Sequence, residues 1–507
     1  MTANLKDIIA YLSEVVSGLK DSIEAPLAMT AHDAEALILR RVIEIGSVLM
    51  SGFLAAQALR IQDGRTVIDP ADRESVELKR NGDRVGLYYS IFGAIEYKRG
   101  YYCGAGRGYY PLDAKLNIAP SGPSDLLRKM QEELGLHMSY EDAVAFIAKY
   151  FPVSASTRAL QQAVLTDSVD ATDYYDHAPV PPVKAEATIM AVQADCAGIP
   201  MANRCMTGVE PCRDKGSKRH DGRMKMATAI SVSTHAPYFR TAEQVVENLF
   251  RETGEKPHQP VTDKEGMFFK RVWATLAGKH EALLQAQKYV GQIDTTCITD
   301  FITLTDGERS LQSQMDSMFP THRRILDLRH GISYVYKAAD AHFGTAKSKE
   351  VNHTAWVRNS ILLILQGKTD SVIREVEGWS HQIKKKASAY KALDTVANYF
   401  RRNLPAMQYD KYLAAGWPIA TGLIEGCCGH VVKGRCDGVG RRWTEAGAEA
   451  MLHLSCIEEN GDWEAYHDFR MKRRHQIHYR QTPVTPVPTT ESNVYQFRTK
   501  QRLAEAI

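Results

Sequence analysis

Three carboxylates stand where a folded chain could put them to chemical use. Asp195 follows the apolar run Ile189–Ala194, and Gly198-Ile199-Pro200 comes soon after. Asp306 closes the run ITDFITLTD and precedes Gly307. Glu425 lies in GWPIATGLIEGCCGHVVKGR. A carboxylate at the end of a buried strand suits a metal ligand or general base, because the strand fixes it and a small neighbour lets a substrate approach. An Asp that merely starts a turn is the commoner use of the same residue. A third carboxylate shifts the balance. Three such groups can hold two Mg2+ ions about 3.5–4 Å apart, with Mn2+ as a substitute. Hard cations of this kind take oxygen ligands. One ion would activate a water or a 3′-hydroxyl, and the other would stabilise the 3′-oxygen that leaves in a phosphodiester displacement.

The surroundings of Glu425 carry further signals. Pro418 suits the start of a helix, and the spacing predicts one helix over residues 417–436. Gly422, Gly426, Cys427, Cys428 and Gly429 are poor helix formers. They are good for bringing a backbone close to a bulky partner. Glu425, Gly429, Val432 and Cys436 would share a face. Lys433, Arg435, Arg441 and Arg442 with Trp443 combine positive charge and an aromatic ring, which suits phosphate contacts and base stacking. The plainer alternative is a solvated basic helix end, favourable to the helix dipole. Lys384-Lys385-Lys386 and Lys472-Arg473-Arg474-His475 are two more basic clusters, which either grip phosphates or are solvated surface.

Other chemistries find little. Gly104-Ala105-Gly106-Arg107-Gly108 lacks the Lys-Ser/Thr and the following helix of a phosphate loop. Cys205, Cys212 and His220 do not have the spacing of a common zinc finger. Cys427, Cys428, His430 and Cys436 are too close together on one helix for a tetrahedron. No Gly-x-Ser-x-Gly elbow and no Walker A motif is present.

The elements that must position these residues divide the chain. Residues 1–85 read as a helical region for dimerisation or DNA binding, with 1–62 helical throughout and Thr30 and Asp33 at a helix start. Residues 86–120 read as a β-hairpin module, rich in Tyr, Ile and Gly. Residues 121–175 hold helices joined by a tight turn at Pro152-Val153-Ser154. They read as a helix-turn-helix with Arg158 on its second helix, or as a plain helical hairpin. Asp176–Lys184 is a Pro-rich linker. Residues 185–344 form the first part of a core, with strands over 189–194, 226–234, the segment ending at Asp306, and HRRILDL. A long helical stretch is predicted over 242–250 and 266–289. Residues 345–412 read as an all-helical insertion, 413–480 as the rest of the core, and 481–507 as a flexible tail.

The chain has 507 residues, with 63 Lys+Arg against 60 Asp+Glu and a net charge of +3. Bulk charge therefore does not mark a nucleic-acid binder, and any such role must come from local patches. Nine cysteines in so long a chain suggest a reducing compartment. The N-terminal residues do not read as a secretory signal. The apolar stretch Ile45–Leu59 falls short of the ~20 residues that cross a bilayer, and reads as a buried or dimer-forming helix. The expected location is the cytoplasm, on the nucleoid when bound to DNA, with no membrane.

The sequence resembles DDE transposases of bacterial insertion sequences, most of all the ISKra family. The resemblance lies in VQADCAGIPM, VWATLAGKHEALLQ, LTDGERSL, DLRHGISYVYKAADAHFG, WPIATGLIEGCCGHVVKGR and GVGRRWTEAGAEAMLHLSCIEENGDW, spread over about residues 90–470. It implies an α+β multidomain chain: an RNase H-like mixed α/β core with an all-α insertion, preceded by the mostly helical region with its hairpin. It implies catalytic and metal-binding roles for Asp195, Asp306 and Glu425. Asp327-Leu328-Arg329-His330 matches the Cys/Asp-x-x-His motif of the related Mutator-like group, which places His330 near the active site; a core or capping His is the alternative. Cys196 stands where relatives often carry Gly. The implied partners are DNA, as terminal inverted repeats and target, and a second copy of the chain or a higher assembly. A structure-specific nuclease, or a silent DNA-binding protein of transposase descent, would share many of these features.

Overall fold

The computed structural model describes residues 5–24, 29–61, 66–68, 77–104, 106–202, 224–251, 266–344, 350–384, 387–438 and 441–479. The zinc candidates Cys205, Cys212 and His220, the cluster residues Lys385 and Lys386, and the tail 481–507 lie outside them. The chain is mixed α/β with two sheets and divides into two units.

The first unit comprises residues 1–129, 147–154 and 468–507. Helices α1 (Leu5–Glu24) and α2 (Ala31–Arg60) come first. Thr30 and Asp33 form a capping box at the start of α2, each side chain bonding the other's backbone N–H. Strands β1 (Thr66–Ile68), β2 (Glu77–Ser90), β3 (Gly93–Gly104) and β4 (Arg107–Tyr109) form an antiparallel sheet in that order. So the first 85 residues are not all helical, and the hairpin starts before residue 86. Leu54 of α2 packs with Ile95, Tyr97, Leu112 and Ile118, the last two in and just after α3 (Pro111–Lys115). Few other side chains of α2 are buried: Leu39, Val42, Leu49, Phe53 and Leu59 are exposed. Of the two readings of Ile45–Leu59, a buried or a dimer-forming helix, burial within the chain is corrected.

The second unit comprises residues 130–146 and 155–467. Helix α4 (Asp125–His137), α5 (Tyr140–Tyr150), α6 (Thr157–Asp167) and α7 (Ala171–His177) lead into it. Its sheet is built from β5 (Ile189–Pro200), β6 (Met224–His235), β7 (Met267–Thr275), β8 (Asp300–Thr305) and β9 (Arg323–Leu326), in the order β7-β6-β5-β8-β9. The three strands β7, β6 and β5 are antiparallel, and β5, β8 and β9 are parallel. Helix α8 (Ala242–Leu249) lies between β6 and β7, α9 (Lys279–Gln292) links β7 to β8, and α10 (Arg309–Met318) links β8 to β9.

The stretch expected to be helical from 266 to 289 is therefore a strand followed by a helix. β7 reads MFFKRVWAT, whose aromatic and β-branched side chains suit a pleated surface. Trp273 pairs across from Ile230. Arg271 lies over the rings of Tyr175, Phe269 and Tyr289, and Lys270 pairs with Glu459, so the two charges tolerate the strand.

After β9 come α11 (Leu328–Phe343), α12 (Glu350–Leu365), α13 (Thr369–His381), α14 (Ser388–Asn403) and α15 (Tyr409–Ala414). These helices share one apolar core with Ile189, Ala191, Ile302 and Leu304 of the sheet. The helical segment thus shares an apolar core with one end of the sheet. α16 (Gly422–Cys427), a π-helical turn at Cys428–Lys433 and α17 (Gly434–Cys436) follow. α18 (Glu445–Glu459) and α19 (Trp463–Tyr479) end the described chain. α18 packs on β7 and on α6. Leu160, Ala163 and Val164 of α6 are buried.

Candidate active site

The parallel register of β5 and β8 ends with Gln193 opposite Leu304. Two residues further along each strand stand Asp195 and Asp306. The ladder that fixes both backbones thus sets two carboxylates just past its last parallel pair: Asp306 follows the end of β8, whereas β5 runs on to Pro200 against β6, which corrects the expected strand end before Asp195. In open α/β sheets this carboxyl edge is where ligands bind. Glu308 N–H bonds Asp306 Oδ1 at 2.9 Å, and Cys196 N–H bonds Asp195 Oδ1 at 2.7 Å.

The third carboxylate arrives from a helix hung on the end of β9. Asp327, fully buried, accepts the Thr421 N–H at 2.8 Å, and Leu328 N–H bonds the Ile419 carbonyl at 3.0 Å. Ile424 N–H reaches Gln193 Oε1 at 3.4 Å, which sets α16 over β5. Glu425 accepts the Thr421 hydroxyl at 3.3 Å and pairs with Arg329. The helix starts at Gly422, not near Pro418, and the π turn breaks its α-helical spacing. Glu425 and Gly429 are half-buried while Val432 and Cys436 are fully buried, so the four do not form one equivalent face.

His330 joins the group. Its backbone N–H and its Nδ1 both bond Asp327 Oδ2, at 2.9 and 2.7 Å. One ligand atom each from Asp327, His330 and Glu425 lie within 4.8 Å of one another. The hydrogen bond to Asp327 is the chief reason that the imidazole is held above its usual range; burial opposes it, and the charges of Asp327, Asp306 and Asp195 add to it. Burial pushes Asp195 up, against the Cys196 N–H, and the charges of Asp306 and Glu425 push it the same way, while His330 opposes. Asp327 is pushed up by burial, but its bonds to His330 and Thr421 outweigh that and hold it low. Asp195, Asp306, Glu425 and His330 thus sit within electrostatic reach of one another.

The donor set suits a hard divalent cation. It is rich in carboxylate oxygen, and a bound cation would offset both the burial that chiefly raises Asp195 and the lesser repulsion from Asp306 and Glu425. Asp327 and Arg329 were not among the residues expected from sequence to belong to the site, although both lie within the DLRH motif. Tyr399 and Arg402 also reach the site, and no sequence pattern signals them.

The basic residues separate into two kinds. Lys433 and Arg442 are exposed, as is Arg158 on α6. Arg435 is 4% exposed: its Nε donates to the Gly135 carbonyl at 2.6 Å, and its guanidinium lies over Tyr140 and Trp443. Trp443 is 7% exposed, and its indole N–H bonds the Cys436 carbonyl at 3.0 Å. Arg441 bonds the Gly434 and Arg435 carbonyls at 3.2 and 2.6 Å. The expected DNA-facing roles of Arg435 and Trp443 are corrected: both are consumed in packing, and Arg441 is committed to capping the helix end.

No family model matches the sequence, and no curated protein matches it. Among solved structures, the chain is similar to the Drosophila P element transposase strand transfer complex, at 10% identity and a TM-score of 0.24, over 69% of this chain and 85% of that one. A likeness of that size carries no weight for fold or activity.

Proposed function

We propose that the chain is a DDE transposase of a bacterial insertion sequence, of the ISKra kind, which cleaves and transfers DNA strands. Its second unit is read as an RNase H-like core carrying an all-α insertion. The observation that supports this reading is that three carboxylates from separate elements lie within electrostatic reach of one another. Asp195 lies within β5, Asp306 directly follows the adjacent parallel β8, and Glu425 comes from a helix pinned to Asp327. The order β7-β6-β5-β8-β9, three antiparallel strands then two parallel, supports it as well.

Asp195, Asp306 and Glu425 would hold two Mg2+ ions, or Mn2+. Bound there, the metals supply activation of a water or 3′-hydroxyl and stabilisation of the leaving 3′-oxygen. The chain's own groups do the rest. The bond from Asp327 favours the protonated form of the His330 imidazole beside the carboxylates, and in that form the ring would suit a phosphate oxygen. Lys433, Arg442 and Arg158 remain free in exposure to neutralise the backbone of terminal repeats or target. Work on DNA places the protein in the cytoplasm, on the nucleoid.

The test uses duplexes that carry the DNA flanking the gene. With Mg2+, the wild type is expected to nick the element's end and to join it to a second duplex. Glu425→Gln, Asp195→Asn and Asp306→Asn are each expected to keep end binding and to lose cleavage by at least ~100-fold, as removal of a metal ligand or its charge does. Undiminished cleavage in any of the three would sink the assignment. Cutting of branched DNA without joining would mark a structure-specific nuclease instead, and binding without cutting in the wild type a silent DNA-binding protein.

A further inference from the structure

Tyr399 of helix α14 lies 93 residues beyond Asp306 in sequence, yet it holds the backbone that carries it. Tyr399 donates its hydroxyl to the Asp306 carbonyl at 2.7 Å. Arg402 donates to the Gly307 carbonyl at 2.8 Å and lies over the Tyr399 ring. Asn403 accepts the Gln312 side-chain amide at 3.0 Å, which fixes the first turns of α10. Tyr399, Arg402 and Asn403 are spaced i, i+3 and i+4, so one face of α14 grips the strand end, the turn and the next helix in sequence order.

Gly307 records how close the grip is. Its φ is +89°, and a Cβ there would lie 2.8 Å from the Tyr399 hydroxyl. Neither the conformation nor the space admits another residue. Tyr399 is itself braced. It stacks on Tyr334 with ring centroids 3.7 Å apart and planes 2° from parallel. Tyr334 sits four residues after His330, on the same side of α11. Burial, then the neighbouring Tyr334 and Asp306, keep the Tyr399 hydroxyl protonated and a donor.

We propose that Tyr399 and Arg402 are positioning residues for the site, and that the helical insertion sets the Asp306 carboxylate in place for metal. This rests on the reading of Asp306 as a metal ligand. An accessory insertion for DNA contacts alone would need neither bond. The bonds go to main-chain carbonyls, so they fix the peptide from which the Asp306 side chain projects without competing for its oxygens.

The experiment measures Mn2+ binding calorimetrically on the full chain, beside hydrogen exchange of the 305–309 amides, in Tyr399→Phe and Arg402→Gln. Tyr412→Phe is the control. It removes another tyrosine hydroxyl that bonds a β9 carbonyl, at 3.4 Å, away from the site. Tyr399→Phe is expected to weaken Mn2+ binding about 3- to 10-fold, the effect of one lost hydrogen bond, and to speed exchange at 305–309, with the melting temperature held near that of the control. Arg402→Lys is expected to recover part of the loss in Arg402→Gln. Wild-type Mn2+ affinity in both Tyr399→Phe and Arg402→Gln overturns the proposal, whatever their exchange. Asp306→Asn separates this from the parent reading: if that variant also binds Mn2+ like the wild type, the metal site itself is misassigned.

Discussion

At the scale of single residues, Asp327 and His330 act as one unit. Asp327 is held below its ordinary 3.8, so its contribution to stability is full above that value and is lost as pH falls through the lower folded value. His330 is held above its ordinary 6.5, so its contribution is full below 6.5 and is lost as pH rises through the raised folded value. The two windows overlap between about pH 4 and 6.5. The melting-temperature gap between wild type and Asp327→Asn is therefore expected to be widest there and to narrow on both sides. A gap independent of pH would mean that the bond carries no charge.

Residue burial also sorts the basic cluster. Trp443→Ala removes a buried indole with its hydrogen bond and leaves Arg435 with only one of its two aromatic partners, Tyr140. It is expected to cost about 3–5 kcal/mol of stability, the range for a large buried aromatic. Lys433→Ala and Arg442→Ala touch solvent and are expected to stay within ~0.5 kcal/mol of the wild type. Their effect belongs in DNA binding, where each lost phosphate contact lowers the slope of affinity against salt by about 1. Denaturant melts and salt titrations of DNA affinity check the two halves.

At the scale of elements, the sequence was legible where burial was uniform. β8 is an apolar run followed by Asp306, and β5 opens as one before Asp195 but runs on to Pro200, where Gly198 and Pro200 read as a break. The DLRH motif likewise placed His330 beside a carboxylate, and the cap residues placed the start of α2. β7 was hidden because Lys270 and Arg271 imitate the polar side of a helix. Two of their partners, Glu459 and the ring of Tyr175, come from elements distant in sequence. The π turn was hidden too, since an added residue in a helix leaves no mark in the order of apolar positions. The bond from Tyr399 to Asp306 is invisible for the same reason as the β7 partners: only the folded chain creates it. Glycine in α16 is where sequence and structure make a joint prediction. A Cβ at Gly422 or Gly426 would meet nothing within 4 Å. Alanine at either is expected to stabilise the protein by about 0.5–1 kcal/mol through helix propensity. If that open space serves the close approach of DNA beside Glu425, the same variants lose end binding. A gain in melting temperature with unchanged DNA affinity and cleavage would leave those glycines without a functional reason.

At the scale of the whole molecule, the apolar surface of α1 and α2 calls for a partner. Leu39, Val42, Leu49 and Phe53 are all exposed, at intervals of three, seven and four residues. That spacing follows the 3.5-residue repeat of a helix seam. Ile9 and Val16 of α1 are exposed seven residues apart. A bilayer is a poor occupant. α2 is 30 residues long with a window of mean hydropathy 1.6, but its charge-free part, Ile45–Leu59, spans only about 22 Å as helix against a hydrocarbon core of about 30 Å. A second copy of the chain fits better. Helices of 20 and 30 residues, at 1.5 Å per residue and about 10 Å across, offer roughly 750 Å2, close to the ~800 Å2 that each partner of a standard interface buries. Pairing through this surface would also give a protein of net charge +3 two sets of local basic residues for two DNA ends, which bulk charge alone does not supply. The double variant Leu49→Glu with Phe53→Glu is expected to convert a dimer to a monomer in sedimentation, with its circular dichroism unchanged. It is expected to keep binding a single end and to lose the bridging of two. A wild type that sediments as a monomer at micromolar concentration, or that floats with phospholipid vesicles, would rule the dimer surface out.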